Sequence, residues 1–508
     1  MKKILFSVLA AGLMLTSCNM DLDPAGTVTD TESIQTVQDV EKFRNNFYSN
    51  FRAINAGSYV TSTEMQSDFF VGLRGNGGRG STWTQSNLTP ATSEITSPYS
   101  ACYGVIANIN FMLSYAEPME GQVSGDDAIQ LNRYIGEAHF MRAFFYYWLL
   151  DHYCVRYEPS ALGLQIVTDY DPSIPNSEYP GRSTMQASVN FINSELTQAY
   201  NRLKQFEQYD ASCLAPSSAY VSSYVVEALQ ARLALITRDY QTAKDKASDI
   251  INSQIYALSA ITDYPNLWVN DEGTELLMTC YGDVQEAASF GSYFDQYNYI
   301  NEYPNRVNCA PTMNILGLYD DVNDVRFSSF FLGIPMTIES QETFGFIFNK
   351  FPGNPALNGT EASVYKNKPK PFRLSEIYLI LAEACYESGS GDALTPLNTL
   401  RSNRIVGYTA ETGLAGLALR DAIREERAKE LVGEGFRMSD LRRWQVNMQR
   451  NGTYPITLPG YTNLAELFNN ADIATVLVAG QSPYFTWPIP RNEFEVCPAM
   501  AGQQNPGY

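Results

Sequence analysis

Apolar residues recur at helical spacing over most of this chain and lose that spacing in a few long stretches. Val40, Phe43, Phe47, Phe51 and Ile54 fall on one face of a first predicted helix. Residues 57–98 then lose the period. They carry Gly75, Gly77, Gly78 and Gly80 with Arg74, Arg79 and Trp83 among them, which predicts a long surface loop. Pro98 marks the next helix start, with Tyr99, Cys102, Ile106, Ile109 and Leu113 as its stripe. Leu131, Ile135, Ala138, Met141, Phe145 and Leu149 make another. After a proline-rich connection, Ser183 with Gln186 predicts a capping box for a helix carrying Val189, Ile192, Leu196, Ala199 and Leu203.

Two later segments predict helix–turn–helix pairs of the tetratricopeptide kind. One joins 224–236 to 240–251 across Thr237-Arg238-Asp239, the other 372–387 to 392–404 across Ser388-Gly389-Ser390-Gly391. The earlier pairs are 43–55 with 99–116 and 129–151 with 185–204. Their spacing is irregular, so the expected fold is mainly α, an irregular tetratricopeptide-like α-superhelix with long loop-rich insertions. Residues 256–371 and 451–500, rich in Tyr, Asn, Pro and Gly, predict loops, short helices and occasional strands. A chain of 508 residues exceeds one simple core, and two or three packed regions are expected. The natural division is 38–255 and 256–508.

The N-terminus changes the picture of where these regions work. Lys2 and Lys3 precede an apolar run from Ile4 to Thr16, closed by Leu15-Thr16-Ser17-Cys18. This is the layout of a bacterial lipoprotein signal over residues 1–17, with Cys18 as the lipidated residue. The run is too short to span a bilayer, which takes about 20 apolar residues. Residues 18–37 then read as a flexible tether.

The formal net charge of −20 argues against nucleic acid and anionic headgroups as partners. Apart from Cys18, the cysteines are Cys102, Cys154, Cys213, Cys280, Cys309, Cys385 and Cys497. They are scattered, with no Cys-x-x-Cys pair, and predict buried free thiols rather than zinc or a disulfide framework, with one chance pair open. The two histidines, His139 and His152, read as a packing residue and a helix-end residue. No dinucleotide, Walker A, nucleophile-elbow or zincin motif is present, and no cofactor or metal is expected.

Near the C-terminus Glu426, Arg427, Glu430, Leu431, Glu434, Gly435, Arg437, Asp440, Leu441, Arg443 and Trp444 stand in a pattern that resembles the signature of the SusD/RagB family. Three other segments agree: Glu137-Ala138-His139-Phe140-Met141-Arg142-Ala143, the run from Arg373 to Ala384, and the ending Pro488-Ile489-Pro490 with Gln504 to Tyr508. Cys497-Pro498 departs from the family's usual Asn-Pro. The resemblance implies an outer-membrane lipoprotein that binds glycan without cleaving it and acts as a lid on a SusC-like TonB-dependent transporter. Asp21 and Asp23 resemble the surface-export signal of such lipoproteins. A related branch of the family handles peptides, which leaves a peptide cargo as an alternative.

Within the signature, Glu426, Glu430 and Glu434 are spaced to share a helix face and would repel without interleaved cations, for which Arg427, Arg437 and Arg443 are at hand. With Asp440 they read as a structural charge network rather than a catalytic one. A glycan site needs an aromatic platform and polar forks. Asp68, Arg74, Asn76, Arg79 and Trp83 in the Gly-rich loop are the first candidates. Tyr293 and Tyr297 are the second, and Trp268 is a further loop aromatic. A surface glycoside hydrolase is the unfavoured alternative: with 55 carboxylates, some pair would suit such chemistry by chance.

Overall fold

The computed structural model describes residues 33–508 except 76, 172, 176–177, 291–306, 308 and 359–364. The signal segment, Cys18, Asn76, Tyr293 and Tyr297 therefore lie outside the described residues. The chain is mainly helical. Its long helices are α1 (Val37–Ile54), α2 (Ser58–Gln66), α3 (Ser93–Met119), α4 (Asp126–Tyr153), α5 (Met185–Phe206), α6 (Ser223–Thr237), α7 (Tyr240–Asn252), α8 (Leu374–Ser388), α9 (Leu394–Ser402), α10 (Gly416–Leu431) and α11 (Arg437–Trp444). They pack as α1 on α3, α4 on α5, α6 on α7 and α8 on α9. Further contacts of α7 and α10 with α8 extend the superhelix.

Local chemistry sets the helix ends. Thr36 caps α1 through its side chain, and Asp39 answers onto the Thr36 backbone, a complete capping box. At α5 the cap is Thr184, which accepts from the Ala187 N–H; the expected Ser183–Gln186 box is displaced by one residue. Helix α3 begins at Ser93, ahead of Pro98, and so brings Ile95 into the core.

Residues 57–98 are not one surface loop. They hold α2, a strand β1 (Phe70–Gly72) and a short helix Ser81–Thr84. The apolar period fails there because α2 buries polar residues, Thr61, Ser62, Thr63, Glu64 and Gln66. Their hydrogen bonds replace greasy contact: Gln66 Nε2 donates to the Tyr484 carbonyl at 2.6 Å, and the Gly435 N–H donates to Glu64 Oε1 at 2.8 Å. β1 pairs antiparallel with β2 (Cys309–Pro311). The largest sheet is the hairpin of β3 (Phe331–Ile338) and β4 (Gln341–Phe348), joined in parallel by β5 (Thr462–Asn463).

One continuous hydrophobic core runs from Ile34 to Met500 and includes residues of both halves. Phe372 packs on Phe140 and Phe144 of α4, and Arg232 of α6 pairs with Glu376 of α8 at 2.6 Å. The seven described cysteines are all free and buried.

The signature carboxylates sit in a buried charge network. Glu426 and Glu430 lie on α10, while Glu434 follows in the turn between Gly433 and Gly435, both at positive φ. Their counter-ions come from distant segments. Glu430 faces Arg373 at 2.7 Å, Arg404 at 3.0 Å and Arg326 at 3.1 Å. Glu434 meets Arg373 and Lys350, each at 2.6 Å. Glu426 meets Arg326 at 2.6 Å, Arg401 at 2.7 Å and Lys429 at 3.1 Å. The expected counter-ions go elsewhere: Arg427 and Arg443 pair with Asp440, and Arg437 with Asp68. Sequence spacing put the nearest arginines on the glutamates; tertiary packing supplies others.

Arg326 precedes β3 and Lys350 follows β4, so the network clamps both roots of the hairpin. Burial disfavours the charge on Glu426 and Glu430, but the surrounding cations outweigh it and hold both carboxyls well below the usual range. Their stabilisation is complete above the ordinary carboxylate pKa and is lost as pH falls through the depressed folded value. Glu430→Gln should lower the unfolding free energy by about 3–5 kcal/mol, because three buried guanidinium groups lose their shared counter-charge. Arg491→Ala, which removes the exposed pair with Glu495, should change it by less than about 1 kcal/mol. Urea denaturation compares the two, and equal small effects would contradict the clamp.

Candidate functional site

The structure separates the residues expected to form one polar, aromatic loop. Asp68 is buried and held by both Arg437 Nε and Nη2 at 2.8 Å, and its carbonyl accepts from Thr312. Trp83 is 8% exposed, and its ring lies 5.0 Å from that of Trp487. Trp487 in turn contacts Trp148, His152 and Tyr153. Trp83 is thus a core residue, not an open platform. Trp268 is also buried, ringed by Lys350, Lys370 and Arg373. Arg74 and Arg79 do reach the surface. Arg74 lies 3.5 Å from Glu339 at the tip of the β3–β4 hairpin, and its N–H donates to the Leu467 carbonyl at 2.7 Å.

That contact leads to a set of aromatics on the hairpin itself. The hairpin turns through Glu339 and Ser340, both with left-handed φ, and strand alternation sends its residues to two faces. On the inner face Met336, Gly345 and Ile347 pack inward; a Cβ at Gly345 would collide with Leu464. On the outer face Phe344 and Phe346 lie across Gly333, where a Cβ would come within 2.9 Å of Phe344 Cζ. Their rings join a half-exposed strip: Phe327 to Phe346 is 5.1 Å, Phe346 to Phe344 is 6.5 Å, and Phe344 to Tyr461 is 6.4 Å between centroids. Tyr461 is 36% exposed. Polar groups edge the strip. Thr337 Oγ1 donates to Glu342 at 2.9 Å, and Asn463 donates to Thr457 at 3.2 Å. Aromatic faces with flanking hydroxyl, amide and carboxylate groups suit the apolar C–H faces and hydroxyl rims of sugar rings. The signal was there in the Phe344-Gly345-Phe346 alternation opposite Gly333-Ile334-Pro335.

Both histidines are committed to the frame. His139 Nδ1 meets Glu195 at 2.9 Å, beside Arg142. Burial opposes its charge, but its hydrogen bonds to Glu117 and Glu195 prevail and raise its pKa. His152 stacks on Trp148 at 3.9 Å, and its Nδ1 lies 2.8 Å from the Trp148 carbonyl. Burial pushes its pKa down to about 4. His152 is therefore neutral, with the proton on Nδ1 donated to that carbonyl, so it ends α4 by hydrogen bonding rather than by charge. Among the described residues, no group of three or more His, Cys, Asp or Glu could hold a metal.

Two substitutions separate frame from site. Trp83→Ala should cost about 3–5 kcal/mol in unfolding free energy, as a core deletion does; a loss near zero would restore Trp83 as a surface residue. Burial pushes Glu64 from the ordinary 4.5 up to about 7, against the backbone N–H groups of Gly435 and Gly433. A raised carboxyl contributes stability below its unfolded pKa, and that contribution is lost as pH rises through 7. Glu64→Gln should thus gain on the wild type by on the order of 3 kcal/mol between pH ~4 and pH ~8 in matched urea melts. A constant difference would contradict the burial effect.

Comparison with known proteins follows the same lines. A family model described as the SusD family matches residues 335–508, and one described as starch-binding and associating with the outer membrane matches residues 23–225. The SusD-like protein P2 of Formosa agariphila is 24% identical, over 93% of this chain and 99% of its own length. A SusD superfamily protein from Bacteroides thetaiotaomicron superposes with TM-score 0.73 at 25% identity, over 93% of this chain and 100% of its own. A laminarin-binding SusD-like protein superposes with TM-score 0.66 at 18% identity, over 94% of this chain and 100% of its own. No helix among the described residues is long and apolar enough to cross a membrane. Signature, helical superhelix and both family matches agree, and the chain belongs to the SusD/RagB family of carbohydrate-binding proteins associated with the outer membrane.

Proposed function

We propose that this chain binds oligo- or polysaccharide without cleaving it, at the cell surface, and passes it to a SusC-like TonB-dependent transporter. Lipid on Cys18 would tether it to the outer membrane, and residues 18–37 would give the body freedom to move over the transporter. The observation that carries the reading is the half-exposed strip Phe327–Phe346–Phe344–Tyr461 beside the polar tip of the hairpin. Arg74 and Arg79, with Asn76 between them, would supply hydroxyl contacts at its edge. Asp68 and Trp83 would act beneath, by fixing the loop. Tyr293 and Tyr297 stand as further candidate ligand contacts.

The charge network supports a non-catalytic role. Glycoside hydrolysis needs a carboxyl that holds a proton near neutral pH. The signature glutamates are saturated with cations and held well below that range, and Glu64, the carboxyl that burial raises to about 7, is fully buried against the Gly435 N–H, out of reach of a sugar. The laminarin-binding relative supports the same use of the fold.

Calorimetric titration with laminarin, soluble starch and a panel of other glycans tests the proposal. At least one should bind, with affinity reduced about tenfold by Phe344→Ala and by Tyr461→Ala. An unchanged affinity in the folded double variant would remove the strip from the site. New reducing ends after incubation would replace the binding role with a hydrolase, and peptide capture with no glycan bound would replace the cargo.

A further inference from the structure

A separate cleft of about 160 Å³ lies where the ends of α6, α8 and α11 meet α10. Arg156, Arg238, Arg424 and Arg443 line it, with Trp444, Tyr240 and Glu387. Four guanidinium groups in one cleft run against a chain whose formal net charge is −20.

Their local carboxylates do not balance them equally. Arg443 is met by Glu383 and Asp440, and Trp444 Nε1 also donates to Glu383 at 2.7 Å. Arg156 and Arg238 share one half-exposed carboxylate, Glu158, at 3.3 and 3.0 Å. The carboxylate facing Arg424 is Glu387, at 3.6 Å, beyond good hydrogen-bond range. Arg424 Nε is buried with no hydrogen-bond partner. Helix C-termini account for Arg238 and Arg443, which end α6 and α11. They do not account for Arg424, which lies within α10. Its guanidinium sits 4.8 Å from the Trp444 ring, with that of Arg443 at 4.6 Å from the same ring. Burial lowers the Arg424 pKa, and Arg420 and Arg443 add to it, so that Glu383 and Glu387 only partly offset the cost of its charge. Arg238 also holds a left-handed backbone at φ 63°, where glycine is the usual residue.

We infer that this cleft binds an oxyanion group, held by Arg424 with Arg238 and Arg156 against the Trp444 indole. Planar guanidinium forks match carboxylate, sulfate and phosphate, and the cleft has room for one such group with part of the ring that carries it. Glu387, the one carboxylate lining the cleft, sets the cost of entry. The inference concerns a site apart from the aromatic strip, so its failure would leave the glycan-binding proposal standing.

Titration calorimetry of the full chain with sodium glucuronate, sodium sulfate and sodium phosphate, at constant ionic strength, tests it. At least one anion should bind saturably, and Arg424→Gln should weaken that binding about tenfold while keeping the wild-type unfolding temperature. Glucuronate alone would assign the site to an acidic sugar, and sulfate or phosphate as well to oxyanions in general. Should Arg424→Gln fail to fold, Arg156→Gln, at the more exposed rim, carries the same expectation. No binding of any of the three, or unchanged affinity in both folded variants, would overturn the inference.

Discussion

Glu430 is buried among the guanidinium groups of Arg326, Arg373 and Arg404, and much of the chain is fixed by that one contact. Removing a carboxylate from water costs several kcal/mol, and only close, well-oriented cations repay it. Here the cations come from three separate segments, and Glu275 closes the ring by taking Arg373 at 3.2 Å and Arg404 at 2.9 Å. The insertion between α7 and α8 is thereby tied to the helical scaffold. Through Arg326 and Lys350 the same ring fixes both roots of the hairpin that carries Phe344 and Phe346.

A second set of contacts extends this frame to the N-terminal half. Glu64 and Asp68 meet Gly435 and Arg437, just beyond the signature glutamates. Arg450 donates to the carbonyls of Met65, Gln66, Phe70, Thr84 and Asp472, closing the end of α2. Burial pushes its pKa down to about 10, so it keeps its charge near neutral pH. The polar α2 segment is therefore held by long-range hydrogen bonds as well as by the packing of Val60 and Met65.

These contacts explain what the sequence could and could not disclose. Amphipathic helices such as α1 and α5 were legible because one face repeats at helical period, and the signature disclosed the family. α2 was not legible: most of its buried residues are polar, Thr61 and Thr63 turn their hydroxyls onto the carbonyls of Gly57 and Val60, and Glu64 and Gln66 find partners hundreds of positions away. The glutamate cluster was visible, but its counter-ions were not, since Arg326, Lys350 and Arg404 carry no local mark of pairing. Trp83 looked like a platform because glycines surround it, yet Trp487 packs on it, itself backed by the rings of α4. The hairpin's aromatic face is hidden in the sequence for the opposite reason: Phe344 and Phe346 look like core residues, and only the pairing across Gly333 and the neighbouring Tyr461 place them on an outer face.

The surface that results is an aromatic strip on an ion-clamped hairpin, presented by a helical superhelix. A crystal structure of the protein with a bound oligosaccharide tests this most directly. Sugar rings stacked on Phe344 and Tyr461, with the hairpin unmoved, are the expected result. Sugar bound elsewhere while that strip stays bare would contradict it.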